Sequence, residues 1–349
     1  MALTRNPLRT LVASAAVSLQ GWEQVAPALR ASPLVPSLGA KGMHKGSAGR
    51  VGVLGGSLEY TGAPYYAGTA ALKAGCDLAY VLTSSEAAMP IKCYGPELMV
   101  LPAFSISKFD DQPSTEAPAP VVDAIRDYLG RLHVLVIGPG LGRHPTVFDL
   151  TARVIKAARE KELPMVIDAD GLFLIAQQPE LIRGASGVIL TPNIREFERI
   201  RDAVGVHPSS LVDDVARTSQ HLGVTILLKG EADLIASGDV VLESTEPGGL
   251  RRSGGIGDIL AGTTAVFLQW SRRFAPPTMT LPSGSASSAS NDLIASSDAW
   301  AAFSASVLTK RATRAAYLRH KRSMAAPDVI EEIGAGFEDM FPAAECPEP

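Results

Sequence analysis

The sequence predicts an α/β protein with a mostly parallel central sheet and helices on both faces. Three observations predict it. Short apolar runs alternate with helix-like segments along the chain. The runs are rich in Val, Ile and Leu without strict alternation, as in strands covered on both faces. Most of them end in a glycine-bearing turn, and strands alternating with helices mean βαβ units.

The first such run is "RVGVLGG" (50–56), followed by a helix over 63–75 entered through Pro64. That helix carries Ala67, Gly68, Ala70 and Ala71, small residues that allow close packing on a sheet. Residues 103–120 are rich in Pro, Ser and Asp and read as a surface insertion. "LHVLVIGPG" (132–140) is the second strand, and its glycine loop "GPGLGR" (138–143) leads to a helix over 146–161. Such a loop is weak evidence alone, because many strand–helix turns use glycine, and it does not form a dinucleotide-binding fingerprint. "PMVIDADG" (164–171) puts two acids at a strand end. An Asp there either caps the helix "LFLIAQQ" or adds to the field of a site, and both readings stay open.

"GVILTPN" (187–193) runs into "IREFERI", with a helix over 195–203. Asn193 and Glu196 have the spacing of a capping box. They could equally hold water around a magnesium ion, which prefers oxygen ligands and keeps several waters. A helix over 209–222 precedes "VTILLKG" (224–230), where Lys229 follows a buried strand. A lone lysine in a loop is usually solvated, but at a strand end it can meet a phosphate.

The sharpest signal is "RRSGGIGDIL" (251–260). Gly254, Gly255 and Gly257 lead into a helix from about Asp258 to Trp270. A glycine loop at a helix N-terminus exposes backbone N–H groups and the positive end of the helix dipole, which makes an anion site. An acid there could simply cap the helix. Capping leaves the three glycines and the preceding Arg251 and Arg252 unexplained. An acid facing an anion hole is placed to take a proton from a hydroxyl attacking a phosphoryl group.

Residues 275–298 are low-complexity and read as a second surface insertion. The organisation expected is a poorly ordered segment 1–40, a single domain 41–342 and a tail 343–349. With 349 residues, 46% hydrophobic and 19% charged, there is ample material for a core. The net charge of −4 argues against a nucleic-acid surface. No apolar run reaches the roughly 18 residues that would span a membrane. Three cysteines, Cys76, Cys93 and Cys346, without CxxC spacing suit a reducing compartment. The first 22 residues carry Arg5, Arg9 and no acid, a pattern shared with mitochondrial presequences. A frayed terminus and a cytoplasmic location are the expectation, with the mitochondrion as alternative. His44 is given no metal role.

Taken in order, "HKGSAGR", "GGSLEYTGAPYYAG", "IGPGLGR", "DADGLFL", "LTPNIREFERI", "LKGEADLI" and "RRSGGIGDILAG" resemble the eukaryotic ATP-dependent NAD(P)H-hydrate dehydratase family, which has a ribokinase-like fold. The resemblance runs from about residue 40 to 341, interrupted by the two insertions. It implies a repair reaction. The S epimer of hydrated NADH or NADPH is phosphorylated by ATP on the ring hydroxyl, and phosphate is then eliminated to restore the cofactor. It implies that ATP lies along Lys229, Gly230, Glu231, Ala232 and Asp233, and along Gly248, Gly249, Leu250, Arg251, Arg252, Ser253, Gly254, Gly255, Ile256 and Gly257. It implies that the hydrate meets Gly142, Asn193, Ile194, Arg195, Glu196, Phe197, Glu198, Arg199 and the catalytic Asp258. Magnesium would arrive with ATP, with no direct protein ligand and with water linking it to Asn193 and Glu196. A separate epimerase would work alongside. The oligomeric state is open, a homo-oligomer included. Two rival readings are a vitamin or sugar kinase of the same fold, which would accumulate a phosphorylated product, and a nucleotide-binding regulator without turnover.

Overall fold

The computed structural model describes residues 17–37, 42–111, 114–281 and 293–342. Its strands are β1 (Val17–Gln20), β2 (Arg50–Leu54), β3 (Leu78–Ser84), β4 (Met99–Phe104), β5 (Val134–Ile137), β6 (Met165–Ile167), β7 (Val188–Leu190), β8 (Thr225–Leu228), β9 (Asp233–Ser237), β10 (Val240–Ser244), β11 (Thr278–Leu281) and β12 (Leu293–Ser296). Its α-helices are α1 (Trp22–Ala31), α2 (Gly62–Lys73), α3 (Ser85–Tyr94), α4 (Ile106–Asp110), α5 (Ala119–Leu129), α6 (Pro145–Glu160), α7 (Ala169–Gln177), α8 (Ile194–Ala203), α9 (Leu211–Leu222), α10 (Ile256–Phe274), α11 (Ser297–His320) and α12 (Ala326–Met340).

The main sheet has ten strands in the order β4-β3-β2-β5-β6-β7-β8-β9-β10-β1. From β4 to β8 every pairing is parallel, as predicted for the runs that form β2, β5, β6, β7 and β8; β3 and β4 are not among the predicted runs. Chain order moves outward in both directions from the β2–β5 boundary. That boundary is a topological switch point, where the loops at the carboxyl ends diverge and leave a crevice.

Period-2 alternation sends each strand's side chains into two separate cores. In β5, Val134 and Val136 pack with α2, α10 and α11, while Leu135 and Ile137 pack with α5, α6 and α7. Both faces of the sheet are therefore dry, which explains why the strands read as continuous apolar runs.

The structure departs from the expected organisation in three places. Residues 17–37 are ordered where a poorly ordered segment 1–40 was expected; residues 1–16 and 38–41 lie outside the described residues. In α1, Trp22, Val25, Ala26 and Leu29 share one buried face. Trp22 meets Phe341 edge-on at 5.4 Å, and Arg30 Nε donates to the Met340 carbonyl at 2.7 Å. The 103–120 stretch holds α4 and the start of α5, and it buries Phe104, Phe109 and Ala117. The 275–298 stretch frames an antiparallel β11–β12 pair with Met279 and Ala295 buried. Only residues 282–292 of it, with the 343–349 tail, lie outside the described residues. In each case a few apolar residues among polar ones suffice to anchor the segment.

Truncating a buried aromatic in a packed cluster removes both transfer energy and contacts. Trp22→Ala should therefore lower unfolding free energy by about 3–5 kcal/mol in urea titrations. A loss below about 1 kcal/mol would mean that α1 is not part of the cooperative core.

Candidate active site

Five loops converge at the carboxyl ends of the parallel strands, and backbone hydrogen bonds tie them together. Gly56 N donates to Pro139 O at 3.0 Å, Asp168 N to Ile137 O at 3.0 Å, Thr191 N to Ile167 O at 3.1 Å and Lys229 N to Pro192 O at 2.9 Å. The "GPGLGR" loop is braced by Asp170, which accepts from Gly142 N and from Arg143 Nε, both at 3.0 Å. A Cβ on Gly138 would collide with the Asp168 carbonyl, so the β5 and β6 loops can lie this close only because residue 138 is glycine.

At the centre, Lys229 Nζ donates to Asp168 Oδ1 at 2.9 Å and stands 4.0 Å from Glu196 Oε2. Asp168 is 2% exposed. It occupies the N-cap position of α7 but makes no side-chain cap hydrogen bond. Of its two open readings, the electrostatic one describes the structure. Burial opposes the charge on Lys229, but the Asp168 and Glu196 carboxylates outweigh it and hold the ammonium above its ordinary value. Burial raises Glu196, with Lys229 pulling the other way.

Asp258 lies beside this pair. Burial first, then the negative Asp168, push its carboxyl up to about 7, against the pull of Lys229. The helix carrying it begins at Ile256, two residues before the expected start, so Asp258 is the third residue of α10 and Gly255 is the N-cap. The three glycines divide in function. Gly255 has φ +93°, and a Cβ there would come within 2.7 Å of Ala326 Cβ and 2.8 Å of Tyr66 Cδ2. Gly257 is helical, and a Cβ on it would stand 3.5 Å from Lys229 Nζ and 3.8 Å from Asp168 Oδ2. Its bareness keeps open the space above the ion pair. Gly254 meets nothing within 4 Å.

Asn193 and Glu196 do form the capping box: Asn193 N donates to Glu196 Oε2 at 2.8 Å, and Glu196 N donates to Asn193 Oδ1 at 3.0 Å. The cap also aims Glu196 at Lys229. Ile194, Arg195, Glu198 and Arg199 are exposed on the same helix. Phe197 corrects the expectation for substrate contact: its side chain is fully buried in the core, because the fourth position of α8 faces the sheet.

The expected ATP-lining residues form a second wall. Gly230 N donates to Asp233 Oδ1 at 2.8 Å, and Ser306 Oγ donates to Asp233 Oδ2 at 2.8 Å. Asp233 is thereby a buried brace for the 229–233 turn. Glu231 is exposed and Ala232 half-buried. Gly248 and Gly249 run against α11, where Gly249 N donates to Thr313 Oγ1 at 3.4 Å. Leu250, Arg251 and Arg252 are exposed, while Ser253 and Ile256 are half-buried. Two residues beyond the expected set border the site. Asp168 was already suggested by its place after a strand. Tyr66 had no sequence signal of its own and is found only because its ring packs against Gly255.

A family model described as NAD(P)H-hydrate dehydratase matches residues 51–334. The chain is 40% identical over 312 residues to the human ATP-dependent (S)-NAD(P)H-hydrate dehydratase, covering 88% of this chain and 82% of that one. It is 41% identical over 315 residues to the enzyme of the same name from Batrachochytrium dendrobatidis, covering 88% and 96%. Among solved structures it is similar to a ribokinase-like superfamily protein from Enterococcus faecalis, with TM-score 0.67, 20% identity and coverage of 93% and 96%. It is also similar to the ADP/ATP-dependent NAD(P)H-hydrate dehydratase from Bacillus subtilis co-crystallised with ATP and Mg2+, with TM-score 0.58, 21% identity and coverage of 90% and 97%. These two likenesses establish the ribokinase-like fold.

The unequal environments of the glycines have a direct consequence. Gly255→Ala should cost at least about 1–3 kcal/mol through backbone strain, before its clashes are counted. Gly254→Ala should be close to neutral. Equal denaturation midpoints for the two variants would refute the assignment of the strained position to Gly255.

Proposed function

The chain belongs to the NAD(P)H-hydrate dehydratase family, and from that premise we propose how its crevice carries out the ATP-dependent dehydration of the S epimer of hydrated NADH and NADPH. The γ-phosphoryl group of ATP passes to the ring hydroxyl of the hydrate as that hydroxyl gives up its proton. Phosphate then leaves with the loss of a ring proton, and the dihydronicotinamide is restored. The products are ADP, phosphate and NADH or NADPH. The kinase reading is set aside by the sequence matches to dehydratases. Because only the S epimer is consumed, a separate epimerase would feed the R form into the same reaction.

One observation carries the assignment of roles: Asp258 sits in the first turn of α10 beside the Lys229–Asp168 pair, under a helix terminus made of bare backbone. Asp258 is the base that takes the hydroxyl proton. A carboxyl held near 7 is matched to that task at neutral pH. The N–H groups at the start of α10 and the Lys229 ammonium face the phosphoryl group in transit, where positioning and charge neutralisation supply most of the acceleration. The turn 229–233 and the segment 248–257 line ATP, with Arg251 and Arg252 adding positive charge. Gly142 and the residues of the α8 start that reach the surface, Asn193, Ile194, Arg195, Glu196, Glu198 and Arg199, hold the hydrate.

Among the described residues no group of three or more His, Cys, Asp or Glu side chains could hold a metal. Lys229 already neutralises Asp168. This donor set fits a magnesium ion carried on the ATP phosphates, with Glu196 and Asn193 reaching its waters. Bound there, the ion would neutralise phosphate charge.

Asp258→Asn should lower kcat by roughly 10²–10⁴-fold. In the wild type kcat/KM should fall about tenfold per pH unit below about 7, and the variant should lose that limb. The linkage sign follows from a folded value above the ordinary 3.8: ionisation opposes folding, with no penalty below 3.8 and the full penalty above about 7. Asn removes that penalty, so the gain in Tm should be larger at pH 8 than at pH 5. A normal turnover rate with an unchanged melting temperature would make Asp258 a helix residue only.

Glu196→Gln preserves the capping box, since Gln also serves at that position. The fold should survive while the magnesium concentration for half-maximal rate rises. A superimposable magnesium titration would restrict Glu196 to capping α8.

A further inference from the structure

Among the described residues, four of the eight large apolar side chains that stand exposed, Leu58, Tyr60, Met89 and Tyr94, belong to the loop after β2 and to α3. Tyr60 and Tyr94 among them connect to the active site. Ser57 lies against Gly142, and the Tyr60 carbonyl packs on the "GPGLGR" loop at Gly140. From Gly255, a row of rings leads outward. Tyr66 packs on Gly255, Tyr65 lies 5.8 Å from Tyr66, and Tyr94 meets Tyr65 edge-on at 5.3 Å. The inner end of the row feels the catalytic centre: the Tyr66 hydroxyl is raised by burial and by its neighbours, Asp258 among them.

The outer end is held in place by an unusual use of a helix cap. Thr61 is the N-cap of α2 but makes no side-chain cap hydrogen bond. Its hydroxyl instead shares a 2.6 Å hydrogen bond with the Tyr94 hydroxyl. A Thr at this position ordinarily satisfies an orphan N–H of its own helix. The Thr61–Tyr94 bond holds the exposed Tyr94 ring against the start of α2.

We propose that this tyrosine row, Tyr66–Tyr65–Tyr94, with Leu58 and Tyr60 exposed on the loop that leads into α2, is the platform on which the adenosine half of the dinucleotide substrate lies. The proposal rests on the dehydratase reading. That reading puts the hydrated ring at Asp258 and leaves a second, purine ring at the far end of a pyrophosphate. Aromatic faces bind any base by stacking, and a preordered ring loses little freedom on binding. The row begins at the catalytic helix and ends in solvent, as a track for an extended dinucleotide must.

The test compares hydrated NADH with hydrated reduced nicotinamide mononucleotide, which lacks the adenosine half, in wild type, Tyr94→Ala, Tyr60→Ala and Tyr94→Phe. Loss of base stacking should raise KM for hydrated NADH in the alanine variants by about 5- to 100-fold. Saturating kcat, KM for ATP and kcat/KM for the mononucleotide should stay within about twofold. Tyr94→Phe, which keeps the ring, should retain most of the affinity for the dinucleotide. Equal losses on both substrates, or no loss on either, would overturn the proposal. So would an unchanged KM combined with a smaller particle mass in solution, since a second copy of the chain would then be what covers these rings. A wild-type chain that fails to dehydrate hydrated NADH would instead remove the dehydratase reading itself.

Discussion

The ion pair between Lys229 and Asp168 is the interaction around which the site is organised. It joins the ends of β8 and β6 across the intervening β7, with Asp168 fully withdrawn from water. Removing one partner of a buried pair leaves an uncompensated charge, at about 3–5 kcal/mol. The pair also sets the charge state of its neighbours. The negative Asp168 helps to keep the Asp258 proton on near neutrality, while Lys229 limits that rise and draws Glu196 towards it. With an apolar residue in place of Lys229, the carboxyl groups of Asp168, Glu196 and Asp258 would face one another without a counter-charge.

The backbone supplies the complement to this charge. Gly255 lets the chain turn into α10 in a wedge between Tyr66 and Ala326 where no side chain fits. The far end of the same helix is also pinned: Gln269 Nε2 and Trp270 Nε1 both donate to the Ala48 carbonyl, at 2.9 and 2.6 Å. Asp77 in turn accepts from Gly46 N and Ala48 N, both at 2.8 Å. The "HKGSAGR" stretch thus has a physical role at the opposite end of the sheet from the chemistry. It seats the C-terminal end of the helix whose first turn carries Asp258.

Much of this was legible in the sequence because the relevant signals are local. Apolar runs without alternation gave a parallel sheet, and "GGIGD" gave a helix terminus suited to anions. What was missed depends on partners distant in sequence. Lys229 was named as a candidate, but its pairing with Asp168, 61 positions away, has no local sign. Phe197 sits within a polar-looking motif, yet the helical phase turns it into the core. The β9–β10 hairpin had a visible sign in Gly238, which adopts φ +62° at the turn between two apolar runs. In α1 the spacing of Trp22, Val25 and Leu29 marks a buried stripe, although Ala- and Ser-rich surroundings mask it. The pair Asn193 and Glu196 was ambiguous for a sound reason: one geometry serves as both cap and site wall.

The seating of α1 against Phe341 and the Met340 carbonyl carries a consequence in time. Arg30 and its acceptor are separated by 310 positions. A ribosome adding roughly 5–20 residues per second needs about 15–60 s to span that gap. Throughout that interval Trp22 lacks Phe341 and Arg30 lacks its carbonyl acceptor, although Arg311 of α11 reaches the Trp22 ring and Glu23 before α12 is made. The side of α1 that meets α12 therefore stays uncovered until α12 has been made, and the position of α12 in the chain sets that part of the window for chaperone engagement.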